Sequence, residues 1–205
     1  MSYSVQQKQI LSYTQAKVRD FMLSAITPGH EFDHILRVAN WAVKIAQAEK
    51  ANIFLCEMAG LLHDVGRAQE DVHGHSRRHH ELSYEICQKW FREDAVLKNL
   101  SKTEKLILLY SVRYHWNNAA DKYVEAIILR DADKLDLFGK IGVKRNAHYL
   151  KTKEKIMNGM RYRMDDIFWL RTEMARRYFK KQKMFEPIFK ETVRLLKSEI
   201  KPVSL

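Results

Sequence analysis

The chain has 205 residues, with 36 Lys+Arg against 25 Asp+Glu (a formal net charge of +11), 46% apolar and 30% charged residues. That composition is globular and excludes wholesale disorder. Two cysteines, Cys56 and Cys87, exclude a disulfide framework and point to a reducing, cytoplasmic setting. No apolar run approaches the roughly 18 residues of a membrane span, so no membrane partner is expected, and the first fifteen or so residues lack the apolar core of a signal peptide. Seven Gly and three Pro are few for the turns of an all-β fold.

Apolar residues recur at three- and four-residue spacing almost throughout, which predicts an all-α single domain, 1–205, of about eight or nine helices. The first runs from Val5 to Ile26 and stops at Thr27-Pro28-Gly29. The second begins near Asp33, a plausible N-cap, and carries Ile35, Val38, Ala39, Ala42, Ile45 and Ala46 on one stripe. The third, Ile53 to Val65, is apolar nearly all round and therefore central, with Gly66 where a C-terminal cap belongs. Arg67 to His75 reads as a polar loop. Helices resume at Ser76–Arg92, Thr103–Tyr114 and Val124–Phe138; Gly139 and Gly142 then break the pattern. Two further helices follow, Asp165–Lys183, capped by Asp165 or Asp166, and Pro187–Lys197, with Pro187 in its first turn.

The charge is unevenly placed. Residues 1–139 hold 18 Lys+Arg and 18 Asp+Glu, whereas residues 140–205 hold 18 and 7. Such a field attracts polyanions or is simply a solvated basic helix face. No nucleic-acid-binding signature accompanies it, so nucleic acid is a disfavoured partner.

The nine histidines and their carboxylate neighbours carry the chemical signal. His63-Asp64 ends the most apolar helix. A carboxylate buried there needs a cation or several donors, and a metal ion meets that need; a helix end that reaches the surface, with a capped aspartate, is the other reading. His34 lies near the start of the second helix, and Asp131, Asp133 and Asp136 fall within six residues of one another on a later one. Imidazole and carboxylate together suit Mn, Fe, Zn, Co or Ni. The order His…His-Asp…Asp would place four ligands on three helices, the way helical bundles build metal sites.

The strings DHILRVANWAVKIA, MAGLLHDVGR and ILRDADKLDLFGKIGVKR, from Glu31 to Arg145, resemble the HD-domain superfamily of metal-dependent phosphohydrolases, in particular its small bacterial single-domain branch. The resemblance implies a metal-site core over 31–145 with the basic helical tail, 146–205, packed on it. It implies His34, His63, Asp64 and Asp133 as metal ligands, Asp133 rather than Asp131 because of its Ala-Asp-x-Leu context. Asp131 and Asp136 would orient a ligand histidine or pair with Arg37 or Lys134. Two more positions resemble the two-metal members. His80, in HHELSYEI, is similar to their His-x-Glu-(Ile/Leu)-(Gly/Ser)-x-Glu-Ile motif, and His115, in SVRYHWN, stands where they carry a histidine, often a pair. These two are candidates for a second ion or for substrate. Trp116 replaces the second histidine of the pair, and the Gly-Tyr-Pro signature of the cyclic-dinucleotide branch is absent. The His-Asp-x-x-Glu-Asp motif of alarmone hydrolases is missing too, since Glu70 and Asp71 follow the doublet too late.

Arg67, after His-Asp-Val-Gly, suits a phosphate oxygen beside the metal. Arg37, one turn after His34, would brace a carboxylate or meet phosphate. Arg77, Arg78, Arg113, Lys134, Lys144 and Arg145 are weaker candidates for a cationic rim, and His73, His75 and His79 read as an exposed loop. The expected activity is hydrolysis of a phosphate ester or phosphoanhydride in a small phosphorylated substrate, a nucleotide or pyrophosphate-type compound. One or two divalent ions would supply activated water, manganese foremost, with Mg, Co, Ni, Fe or Zn as alternatives. Asp64 would hold the ion and accept the water's proton, and Arg67 would stabilise phosphate charge. The alternatives are a di-iron oxygenase of the same superfamily and a metal-containing regulatory or nucleic-acid-binding protein. Sequence leaves the oligomeric state open.

Overall fold

The structure, a computed structural model, describes residues 3–23, 32–69 and 78–197, with Tyr149 by its backbone alone. These form ten α-helices and two 3-10 turns, with no strand among the described residues. The helices are α1 (Val5–Met22), α2 (Phe32–Ala48), α3 (Ile53–Leu62), α4 (His79–Glu93), α5 (Lys102–Tyr114), α6 (Val124–Asp136), α7 (Gly139–Leu150), α8 (Lys153–Ile167), α9 (Glu173–Lys181) and α10 (Phe185–Lys197). The 3-10 turns are Val65–Gln69 and Leu97–Asn99. The expected stop at Thr27-Pro28-Gly29 lies outside the described residues, as do Glu70, Asp71, His73, His75 and Arg77.

The all-α expectation holds, but the helix count is ten rather than eight or nine, because the chain stays helical past Gly139 and Gly142. Gly139 takes φ +67, a left-handed conformation open to glycine, and donates its N–H to the Met184 carbonyl at 2.9 Å. A Cβ on Gly142 would stand 1.9 Å from the Leu137 carbonyl oxygen. The two glycines therefore turn a tight corner from α6 into α7 rather than ending helical structure. The expected helix over Asp165–Lys183 divides. Asp165 and Asp166 lie in the last turn of α8, and Thr172 caps α9, its hydroxyl accepting from the Ala175 N–H at 3.3 Å. Pro187 does stand in the first turn of α10.

Helix α3 is central, as its sequence requires. Phe54, Leu55, Cys56, Met58, Ala59, Leu61 and Leu62 are all buried. It packs on α2, whose apolar stripe includes Ile35, Val38, Ala42 and Ile45, and on α6. Small residues set that distance: a Cβ on Gly60 would lie 2.6 Å from Ala39 Cα. This close approach brings the start of α2 beside the end of α3. The tail is tied to the same helices. Asp131 on α6 accepts from the backbone N–H groups of Arg171 and Thr172 and from the Thr172 hydroxyl, and Glu49 accepts from the Met174 N–H.

Candidate metal centre

Three helix packings assemble the site. The α2–α3 contact sets the His34 and His63 rings 5.3 Å apart. The α2–α6 contact brings Asp133 and Asp136 to His34. The third places α4 on the 3-10 turn after His63-Asp64. Gly66 donates its N–H to Ser83 Oγ at 2.8 Å, and a Cβ on Gly66 would stand 2.2 Å from the His79 carbonyl oxygen. Gly66 thus serves close approach of α4 rather than a helix cap, and it is what admits His79, the first residue of α4, to the centre.

Ring orientation follows from the partners. His63 Nδ1 lies 2.8 Å from the Gly60 carbonyl and His115 Nδ1 2.7 Å from the Val112 carbonyl. A carbonyl only accepts, so both Nδ1 atoms carry the proton and both Nε2 atoms present a lone pair. His34 Nδ1 lies 2.7 Å from Asp136 Oδ2, which fixes the same tautomer. His63 Nε2 is fully buried and has no hydrogen-bond partner. An orphaned imidazole lone pair aimed into a cluster of carboxylates and histidines fits a metal ion.

The donors fall into two groups, His34, His63 and Asp133 in one and Asp64, His79 and His115 in the other, with the ligand atoms of each within 4.8 Å of one another. His34 Nε2 is 3.4 Å from Asp133 Oδ1. Asp64 joins the groups. Its Oδ2 lies 3.8 Å from His34 Nε2 and 3.7 Å from His63 Nε2, while its Oδ1 lies 3.4 Å from His79 Nε2 and 3.7 Å from His115 Nε2. Donors about 2.1 Å from a shared ion stand about 3.0–3.4 Å apart at octahedral or tetrahedral angles. The observed spacings are at or just above that, so the residues fit divalent metal.

Burial pushes the His63 imidazole down, and it pushes His115 down to about 3, with His63 and His79 adding to the effect. Both stay neutral at physiological pH, the ligating form. Burial also opposes charge on His34, but its bonds to Asp133 and Asp136 outweigh burial and raise its pKa. Asp133 is held well below the usual carboxylate range. Burial resists this, but the bond to His34 and the charges of His63, His34 and His115 prevail. The cluster is therefore built to stabilise positive charge at its centre.

The structure brings together His34, His63, Asp64, Asp133 and His115. His80 is not among them. It stacks on Trp116 with ring centroids 5.1 Å apart, and its ring lies 6.4 Å from that of His115. His79, expected in an exposed loop, occupies the place instead, because one residue along a helix turns the side chain by about 100°. Arg67 points inward, with Nε 3.6 Å from Asp64 Oδ2 and Nη2 3.3 Å from His79 Nε2. Arg37 braces a carboxylate: its Nε and Nη2 donate to Asp136 at 2.6 and 3.1 Å, and Arg145 Nη1 donates to the same group at 2.6 Å. Asp131 does not orient a histidine or pair with Arg37 or Lys134; its carboxylate anchors α9. Lys134 pairs with Asp166. Of the wider rim, Arg113 pairs with Glu81 at 3.1 Å and Arg78 lies over Trp116. No helix among the described residues is long and apolar enough to cross a membrane.

Comparison with known proteins agrees with this geometry. An HD domain family model matches residues 32–137, just over half the chain. The uncharacterised YpgQ protein of Bacillus subtilis is 28% identical over 141 residues, which cover 68% of this chain and 64% of YpgQ. The uncharacterised L803 protein of Acanthamoeba polyphaga mimivirus is 30% identical over 149 residues, 66% of this chain and 59% of L803. The chain thus spans less than two thirds of either curated relative. Among solved structures, Bacillus subtilis YpgQ in complex with ADP has the same fold, with a TM-score of 0.68 at 20% identity over 97% of this chain and 99% of that one. An HD-superfamily hydrolase from Bacillus thuringiensis gives a TM-score of 0.69 at 20% identity over 94% and 100%. With the family model spanning the helices that bear His34, His63, Asp64, His79, His115 and Asp133, the chain belongs to the HD domain family.

Proposed function

We propose that this protein is a metal-dependent hydrolase that cleaves a phosphoanhydride or phosphate ester bond in a nucleotide or pyrophosphate-type substrate. The observation that carries the reading is Asp64, which offers one carboxylate oxygen to each of two histidine-containing clusters. His34, His63 and Asp133 would hold one ion and His79 and His115 a second, with Asp64 shared between them. Divalent ions held there lower the pKa of water and polarise a phosphoryl oxygen. The chain's own residues do the rest. Asp136 keeps the His34 Nε2 lone pair aimed at the site by accepting a hydrogen bond from its Nδ1–H. Asp64 accepts the proton released when water attacks. Arg67, beside Asp64 and His79, donates to phosphoryl oxygens as charge builds on them. Asp133, whose side chain is 25% exposed, marks the side from which substrate arrives. A nucleotide substrate is further supported by the ADP-bound state of the similarly folded YpgQ.

Asp64→Ala is the test. It should abolish metal-dependent phosphate release while leaving the helical circular dichroism signal intact. Full activity in that variant contradicts the reading.

A further inference from the structure

Arg163 on α8 is only 9% exposed, and among the described residues no hydrogen bond or ion pair reaches its guanidinium. Its Nη1 is wholly buried without a partner. A guanidinium stays charged under all ordinary conditions, and a buried, unpaired charge is costly. Burial and the like charge of Arg145 press on it, and its pKa falls only to about 10. The acid it feels, Asp166, is already bonded to Lys134. Among the described residues no hydrogen-bonded acid neutralises this group.

Its neighbours fix its place. Arg145 is bonded to Asp136, and Asp166 to Lys134; both α6 residues follow Asp133 within one helical turn. Arg163 stands one helical turn before Asp166 on α8, the helix that meets α6 at Lys134, the residue after Asp133. Two guanidiniums close enough to repel each other suit a multivalent oxyanion, since each can donate planar, paired hydrogen bonds to phosphate oxygens.

We propose that Arg163, with Arg145 beside it, forms a subsite for the phosphates of a polyphosphate chain that lie beyond the bond being cut. The proposal rests on the phosphohydrolase reading above and narrows it: the substrate class is a nucleoside di- or triphosphate, or inorganic polyphosphate, rather than a monophosphate ester.

The probe is inorganic tripolyphosphate, titrated by calorimetry into metal-stripped wild type, Arg163→Met and Arg163→Lys, with melting temperatures measured in parallel. Without ligand, Arg163→Met should melt no lower than wild type, because it removes an unpaired buried charge. Its affinity for tripolyphosphate should fall at least 10-fold, with partial recovery in Arg163→Lys. With manganese restored, KM for a nucleoside triphosphate should rise in Arg163→Met while kcat/KM for p-nitrophenyl phosphate is unchanged. Equal tripolyphosphate affinity in wild type and Arg163→Met overturns the subsite, as does a wild type that does not bind it. A lower melting temperature with unchanged affinity assigns Arg163 a structural role and overturns it too. Failure of the hydrolase reading shows elsewhere, in a wild type that binds tripolyphosphate yet releases phosphate from no substrate.

Discussion

Asp136 Oδ2 accepts a hydrogen bond from the His34 Nδ1–H at 2.7 Å across a gap of 102 residues in sequence, and the same carboxylate holds Arg37 and Arg145. One side chain thus sets the tautomer of a metal-site histidine and pins α7 to α6. Removing such a partner of a ligand histidine typically lowers metal affinity about 10- to 100-fold. Asp136→Asn should show a loss of that size by competition with a chelator, with its helical content kept. Unchanged affinity would mean that His34 is oriented by packing alone.

Asp131, two residues from Asp133, should behave in the opposite way. Its carboxylate accepts the Arg171 and Thr172 N–H groups and the Thr172 hydroxyl, and nothing of the metal site. Asp131→Ala leaves those donors buried and unmet, a loss of about 2–3 kcal/mol in unfolding free energy. Metal content per folded chain should stay at the wild-type value. A variant that loses metal but not stability would reverse the assignments of Asp131 and Asp133.

His79 and His80 are separable by metal stoichiometry. His79→Ala should bind one ion fewer than wild type, because Asp64 Oδ1 and His115 then lack their third donor. His80→Ala should bind the wild-type number, since it loses only the stack on Trp116. Loss of an ion in His80→Ala alone would contradict the arrangement.

Asp94 gives a pH signature remote from the site. Its carboxylate accepts from the Val96 and Leu97 N–H groups, from Tyr13 at 2.6 Å and from Lys17 at 3.0 Å, and so ties α1 to the α4–α5 junction. Burial resists ionisation, but these bonds hold the carboxyl down to about 2, from 3.8. A group depressed on folding contributes stability that is complete above its unfolded pKa and vanishes as pH falls through the folded one. Asp94→Asn should therefore cost about 1–2 kcal/mol at pH 7, and the difference from wild type should close between about pH 4 and 2. A difference independent of pH would show that charge on Asp94 is immaterial.

Much of the centre is legible in the sequence because ligands that lie far apart in the chain sit in local strings of distinct type. The His63-Asp64 doublet ends a segment too apolar to be surface, and Asp133 shares one helix face with Asp136. His79 was available as well. The His-x-Glu spacing, counted back from Glu81, falls on His79 and not on His80, to which the motif is matched above; the approach of α4 to Gly66 carries His79 to the centre. Helices α7 and α8 are obscured by glycines that turn a corner, which composition reads as breaks. Arg163 carries no sequence signal at all. It lies on α8, which packs on α7 and α10, and its buried, unpartnered Nη1 is visible only in the fold.

The most direct measurement is release of phosphate and pyrophosphate from a panel of nucleoside mono-, di- and triphosphates. It uses metal-stripped protein resupplied in turn with Mn, Mg, Co, Ni or Fe(II), with Asp64→Ala as the blank. The account predicts release that appears only with metal, is greater for substrates with a phosphoanhydride bond, and is absent from the variant. Tight metal binding without release from any member of the panel would contradict it.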